Sequence, residues 1–465
     1  MRLRLSFGLV SVVLGLATEA QAQAPNCARP ELASSRWEED WSFLENPGCR
    51  DDPWDPVKHV AIGRSGASYA SFGFELRERY ERLDHPDFDR AERDTNGYWL
   101  QRIMIHGDLH LGSRFRAFVQ LKSGLEEGRA GGPRPPDEDR LDLHQAFVEG
   151  EIALGSAGSL SLRAGRQEIA LGSSRLVSVR EAPNVRRTFD GIRVSWARGD
   201  WSTDAFAFSS VETSPGVFDD GREHGEQLWG LYAVGPVVDE KLGVDLYYLG
   251  MRRDDAEFDR QTDDERRHSI GARVWGTPGA WDYDFELVAQ WGEFGAREIT
   301  AWTVASDTGF TFSDVPGRPR LALRANVTSG DHDPSDHELT TFDPLFPRGS
   351  YFGEASLIGP QNHIDLHPML ELRLRDDWSV TAGWDFFWRE STSDALYRVS
   401  GSPLVAGNAS GARRVGSQGS LRVDWQAGRH FDAAMVYEHF FAGPFLRDAG
   451  LADVDFVALW LSFRV

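Results

Sequence analysis

Apolar and polar residues alternate along most of this chain. Over residues 281–291, one set of alternate positions holds Trp281, Tyr283, Phe285, Leu287, Ala289 and Trp291, and the other holds Asp282, Asp284, Glu286, Val288 and Gln290. A period of two over that length predicts a β-strand with one apolar and one polar face. Residues 380–390 repeat it, with Val380, Ala382, Trp384, Phe386 and Trp388 opposite Thr381, Gly383, Asp385, Phe387 and Arg389. Residues 115–122 do so again, and the spacing recurs near residues 72–80, 102–111, 146–154, 159–165, 192–197, 270–275, 321–327, 370–375, 417–426 and 456–465. No stripe at helical spacing interrupts the series. No interior stretch approaches the ~18 apolar residues that a membrane-spanning helix requires. The chain is therefore predicted to be all-β.

Strands of this kind fit a soluble sandwich, where the apolar face is the core, or an outer-membrane barrel, where it meets lipid and the polar face lines a wet lumen. Three features favour the barrel. The strands are long, Trp and Tyr recur near the ends of the apolar faces as interfacial girdles do, and the last strand runs to the C-terminus itself. That strand sets Val457, Leu459, Leu461, Phe463 and Val465 on one face, resembling the terminal insertion signal of barrels, though it closes on Val465 where an aromatic is usual.

The N-terminus adds an address. Arg2 and Arg4 precede an apolar run over residues 5–16, with small residues at Ala20 and Ala22, as in a secretory signal peptide cut after Ala22. The expected organisation is a signal peptide over 1–22, an irregular periplasmic segment over 23–64 and a barrel over 65–465. Cys27 and Cys49 are the only two cysteines, and an oxidising periplasm lets them pair. The segment around them, with Trp37, Trp41 and Trp54 as anchors, reads either as a plug in the lumen or as a flexible leader.

Charge narrows the function. Lys plus Arg total 50 against 72 Asp plus Glu, a net charge of −22, which argues against a nucleic-acid partner because such a surface repels phosphate. On the inward faces the balance reverses. The basic positions are Arg77, Arg79, Arg102, Arg116, Lys122, Arg163, Arg193, Arg273, Arg324, Arg373, Arg375 and Arg422; the acidic ones are Glu75, Asp108, Glu149, Glu151, Asp282, Asp284, Glu286, Glu371, Asp385 and Asp424. Guanidinium forks bind carboxylates bidentately, so an anionic solute is the expected cargo. The alternative for each residue is pairing across strands to stiffen the wall. The surplus acid is expected in loops and turns such as 254–265 and 331–338.

Two ordered motifs point further. Gly165-Arg166-Gln167-Glu168-Ile169, Gly172 and Arg175-Leu176, followed by Asn184-Val185-Arg186-Arg187-Thr188-Phe189-Asp190-Gly191, resemble the central signature of the alginate export family. Ser329-Gly330-Asp331, Thr341-Phe342-Asp343-Pro344-Leu345-Phe346-Pro347 and Tyr351-Phe352-Gly353 are similar to its second signature. The resemblance implies a transmembrane antiparallel barrel of about 18 strands in the outer membrane of a Gram-negative bacterium, in contact with lipid and lipopolysaccharide and served by periplasmic secretion partners. It also implies an arginine-rich constriction. Arg77, Arg163, Arg166, Arg175 and Arg193, with Asp190 as acidic partner, are the positions it suggests for polymer carboxylates; strand parity adds Arg79, Arg102, Arg116, Arg324 and Arg422. The function implied is passive passage of an anionic polysaccharide such as alginate, with a porin taking up small anionic or sugar solutes as the alternative. The three acids Asp282, Asp284 and Glu286 on one face weigh against a polyanion unless they are neutralised.

Other chemistry has weaker footing. His106, Asp108 and His110 share one face but lack a third protein ligand, so a hydrogen-bonded ladder outweighs a metal. Asp331, Asp333, Asp336 and Glu338 could hold calcium, yet lack the glycine spacing of an EF-hand, and a solvated turn is the simpler reading. No Gly-x-Ser-x-Gly elbow, phosphate loop or His-Glu-x-x-His is present. No enzyme activity and no cofactor are expected.

Overall fold

A strand with one oily face can hide it only in lipid or against another sheet. In the computed structural model, which describes residues 27–63, 68–91, 96–239 and 241–465, the strands do neither by stacking: they close on themselves. One antiparallel sheet runs from Tyr69–Asp84 to Val454–Arg464 and counts 20 strands, of which Val60–Ala61 and Glu338–Leu339 are two-residue additions, leaving eighteen in the wall. The last strand pairs with the first, Leu76 opposite Phe463 and Tyr80 opposite Leu459. Closure leaves no edge of unpaired backbone groups, which hydrocarbon would not tolerate. The leader assigned to residues 1–22 lies outside the described residues.

The two faces reverse the order of a soluble protein. Phe115, Val148 and Leu287 are 64%, 61% and 57% exposed, while Arg267, Arg389 and Gln145 are 0% exposed. Exposed tryptophans gather near strand ends, Trp201 and Trp281 at the first residues of Trp201–Glu212 and Trp281–Phe294, and Trp99 at the second of Tyr98–Leu111. At one end of the barrel the strands are joined by short turns such as 112–114, 199–200 and 376–377; at the other they are joined by connections that include 168–188, 329–362 and 390–413. The stretch 254–265 is not the acidic loop expected from sequence. It is the tip of a hairpin, because Leu242–Phe258 and Gln261–Gly276 stay paired to Phe258 opposite Gln261.

Residues 27–63 enter the short-turn mouth. Cys27 and Cys49 are joined in a disulfide, and the short helix Asp55–Lys58 follows. Trp37 meets the Phe147 ring edge-on, with centroids 6.3 Å apart, and lies 3.7 Å beneath the Arg163 guanidinium. Arg116 donates to the Trp37 carbonyl, and Arg36 donates to the Val465 carbonyl at 2.6 Å. At the rim, Asp51 pairs with Arg429 at 2.8 Å and Asp52 with His430 at 2.9 Å. Since Phe147, Arg163 and Arg116 point inward, these are the contacts of a plug rather than a free leader. Deletion of residues 27–60 is expected to raise single-channel conductance in planar bilayers; an unchanged conductance would mean that the segment leaves the mouth open.

Lys58 makes that docking sensitive to pH. Burial, with Arg36 nearby, pushes its ammonium down to about 7. Glu39 at 3.9 Å and the Trp41 ring at 4.9 Å offset only part of the cost. Below about 7, Lys58 is protonated whether docked or free. Between about 7 and the ordinary value of 10.5 the docked form binds fewer protons than the free one, so docking strengthens as pH rises through that window. Conductance is expected to fall from pH 7 to pH 10, and Lys58→Met is expected to flatten the profile.

The outer face yields a simpler test. Leu287 is near the middle of Trp281–Phe294 and faces outward. Leu287→Arg is expected to cost about 2–4 kcal/mol in equilibrium refolding into vesicles; a neutral effect would contradict lipid contact there.

Candidate functional site: two loops folded into the lumen

The two motif segments are the loops that fill the barrel. In 168–188 and 329–362, Val177 bridges Phe346 in parallel, Phe346 N donates to the Leu176 carbonyl at 2.8 Å, and Ser178 N donates to the Phe346 carbonyl at 3.0 Å. The loops also approach closely at Gly349: a Cβ there would stand 2.7 Å from Pro183 Cδ and 3.2 Å from Arg180 Cγ. Arg180 itself is left-handed, with φ 57°, a strain that the surrounding contacts must hold.

The wall clamps both loops. Arg77 donates to the carbonyls of Glu181 and Pro183 at 3.1 Å each, and Asn184 Nδ2 donates to the Gln101 carbonyl at 2.8 Å. On the other loop, Arg267 donates to the Thr341 carbonyl at 3.0 Å, and Gln290 Nε2 donates to the Asp343 carbonyl at 2.7 Å. Arg253 pairs with Asp343 at 2.8 Å.

Every arginine proposed from sequence for the solute path already has a carboxylate of the protein. Arg79 and Arg422 share Glu354, at 3.3 and 3.1 Å. Arg102 pairs with Glu75 at 2.7 Å, Arg116 with Asp108 at 2.5 Å, and Arg163 with Glu149 at 2.6 Å. Arg193 forks onto Asp204 at 3.0 and 2.7 Å, Arg324 reaches Asp307 at 3.3 Å, and Arg77 stands 3.9 Å from Glu181. Arg175 is held by Asp284 at 3.0 Å and Glu286 at 2.9 Å, and Arg320 pairs with Glu371 at 2.6 Å and with Asp282. The three acids that seemed to oppose a polyanion are thereby neutralised.

Arg166 and Asp190 are corrected in placement. They share the outward parity of Leu162 and Ile192, which are exposed, and they fork onto each other at 2.9 and 3.1 Å. Arg166 also donates to the Leu143 carbonyl at 3.2 Å and stands 3.9 Å from Asp142. The motif match named them, but strand parity puts them outside.

The remaining candidates have partners too. Asp108 accepts from Arg116 and meets His110 at 3.1 Å, with Tyr69 stacked on His110 at 4.4 Å, so this group is a ladder. Asp331 meets Arg297 at 2.6 Å, while Asp333 and Asp336 accept from the backbone N–H of Ser335 and Glu338. The Arg297 guanidinium supplies the positive charge that calcium would bring. Asp139, Asp142 and Asp220 converge as a metal site would, but the Lys122 ammonium sits 2.7 Å from both Asp139 and Asp220.

Sequence reasoning missed the exceptions. Among the described residues, Arg180, Arg187 and Arg348 form no ion pair, and all three keep partial solvent exposure inside the barrel. Arg187 lies 5.0 Å over the Phe346 ring, and Arg348 donates to the Tyr351 carbonyl at 3.4 Å and lies 5.4 Å over the Tyr351 ring. Burial, with Arg180 nearby, lowers Arg187 to about 9; burial, with Arg324 nearby, lowers Arg348 to about 10; Arg180 is lowered chiefly by burial. Among the described residues none of the three has a carboxylate within ion-pair distance, while Asp137 and Glu226 act on Arg180, Glu226 on Arg187 and Asp307 on Arg348 from farther off. Arg187 also lines a cavity of about 270 Å³ with Arg253, Glu226, Asp343 and Phe346. None of the three is on a strand, so alternation could not reach them. Arg187 stood in a quoted motif, and the usable signal was its position in an insertion that had to fold inward.

The comparisons agree with this geometry. The family model described as alginate export matches residues 68–459. The chain belongs to the alginate export family. No curated protein matches it. Solved structures share the fold at low identity. OccD3 (OpdP) of Pseudomonas aeruginosa has a TM-score of 0.58 at 15% identity, covering 88% of this chain and 93% of its own. OpdK of the same organism, solved with vanillate, gives 0.57 at 12%, covering 85% and 98%. OccK2 (OpdF), in complex with glucuronate, gives 0.55 at 11%, covering 85% and 98%. Family and fold together make this protein an outer-membrane channel.

Proposed function

We propose that this channel passes carboxylate-bearing saccharides, a polyuronate such as alginate or its fragments, across the outer membrane of a Gram-negative bacterium. Arg180, Arg187 and Arg348 take the solute's carboxylates in turn, and the paired arginines of the wall hold the frame. Passage is passive and no covalent bond changes. The carrying observation is that Arg180, Arg187 and Arg348 have no ion pair among the described residues, keep partial exposure, and sit on the two loops that narrow the lumen. Guanidinium favours carboxylate over chloride because its fork offers two parallel donors.

A second reading has its own support. The N-terminal segment narrows the mouth, and the structures solved with vanillate and glucuronate hold small carboxylates. A porin for small carboxylates would then be the resting function, with polymer requiring displacement of the segment.

Single-channel recording tests both. Oligouronates are expected to interrupt the current of wild-type protein, and each of Arg180→Gln, Arg187→Gln and Arg348→Gln is expected to raise the blocking concentration by about tenfold. Current indifferent to uronates of every length would overturn the proposal. Block by monomers alone, extending to polymer once residues 27–60 are deleted, would select the second reading.

A further inference from the structure

Glu181 belongs to the loop 168–188, yet its carboxylate sits in a cage of three guanidiniums. Arg102 donates to Oε1, with Arg77 3.9 Å from the same oxygen, and Arg186 Nε stands 3.1 Å from Oε2. The three arginine side chains are 4%, 6% and 1% exposed, whereas Glu181 is 35% exposed. Of the four, the anion is the one that meets solvent.

Glu181 supplies one of the three carboxylates that pair with these arginines. Glu75 serves Arg102 at 2.7 Å, and Glu168 serves Arg186 at 2.9 Å. Among the described residues Arg77 has no other carboxylate within ion-pair distance, and Glu75 and Glu354 act on it only from farther off. Without Glu181, three cations would face two anions and Arg77 would keep only loop carbonyls, a costly state for an enclosed guanidinium. A second carboxylate entering from the solvent side restores the balance. The neighbour in sequence, Arg180, is one of the arginines without an ion pair.

The cage also touches the plug. Ser34 donates its hydroxyl to Glu181 Oε2 at 3.0 Å, and Arg186 donates to the Ser34 carbonyl at 2.6 Å. Occupancy of the cage by Glu181 is thus linked to the inserted N-terminal segment.

We infer that Glu181 is a tethered stand-in for the carboxylate of the transported solute, and that Arg77, Arg102 and Arg186 form a second carboxylate site which the solute enters by displacing it. The inference rests on the proposed passage of carboxylated saccharides and adds a site to it. Exchange of one carboxylate for another costs little because the cations never stand uncompensated. Displacement removes the acceptor of the Ser34 hydroxyl and weakens one fastening of the plug.

Block of single-channel current by glucuronate, measured against chloride conductance, tests this. Glu181→Ala vacates the cage and is expected to be blocked at about tenfold lower glucuronate than wild type, with chloride conductance changing less than about twofold. If the alanine variant fails to insert, Glu181→Gln, which keeps the shape and removes the charge, is read the same way. A blocking concentration unchanged or raised, or a gain matched by chloride, overturns the inference. When wild type is blocked through Arg180, Arg187 and Arg348 but Glu181→Ala makes no difference, only the cage falls. When neither protein senses glucuronate or longer uronates, the transport reading falls and takes the cage with it.

Discussion

A guanidinium inside the wall of a membrane barrel must be met by negative charge, since the alternative surroundings are lipid and packed side chains of low dielectric. The row that crosses the strands near Arg163 makes the constraint visible. Arg163 and Arg193 are directly opposite in register, which brings like charges together. Each is drawn away by an acid on its other side, Glu149 on one flank and Asp204 on the other. The resulting row of acid, base, base and acid is neutral, spans four strands and favours one register, because a slip of one residue in any of them would turn that strand's charge toward lipid.

The same demand organises the loops. Arg389, fully buried as the last residue of the strand Trp378–Arg389, donates to five carbonyls between Thr392 and Ala412, so a long connection is gathered around one cation. Arg267 and Arg77 do this for the two inserted loops. Loops fixed in this way can present further arginines without letting them collapse onto the wall. Arg180, Arg187 and Arg348 stay unpaired because the chain around each is held by something else: the bridge from Val177 to Phe346, the close approach at Gly349, and the clamps on Asp343 and Glu181.

The wall was legible in the sequence because alternation reports which face a residue takes, and Leu287, Phe115 and, in the final strand, Leu459 and Leu461 face outward as their parity requires, whereas Val465 lies past the strand's end and is buried. The count of eighteen and the importance of the two loops came through the family resemblance, not through periodicity. Pairing was not legible. Whether Arg175 binds a solute or Glu286 depends on a loop crossing more than a hundred residues of sequence to reach that strand, and no local pattern encodes it. Arg166 and Asp190 show the opposite error, where a motif suggested the lumen although simple counting from Leu162 and Ile192 gives the outer face. The N-terminal segment was ambiguous for a physical reason. Its contacts with Arg163, Arg116 and Val465 are single hydrogen bonds and ring contacts, which leave no periodic trace.

A chain of net charge −22 seems an unpromising conduit for anions, but exposed charges act over about 8 Å at physiological ionic strength, and the total matters less than what a solute meets at each step. Most acids in the lumen are spent on arginines and present little net field. Others decorate the hairpin tip near Asp254 and the turn at Asp333, where salt screens them. Selectivity then falls to the few places where pairing is incomplete, and there the enclosed geometry strengthens each interaction relative to water. Full pairing would make a rigid but indifferent pore, while many unpaired arginines would trap a polyanion. A small number of free guanidiniums on clamped loops meets both limits, since conduction needs binding strong enough to enter and weak enough to leave.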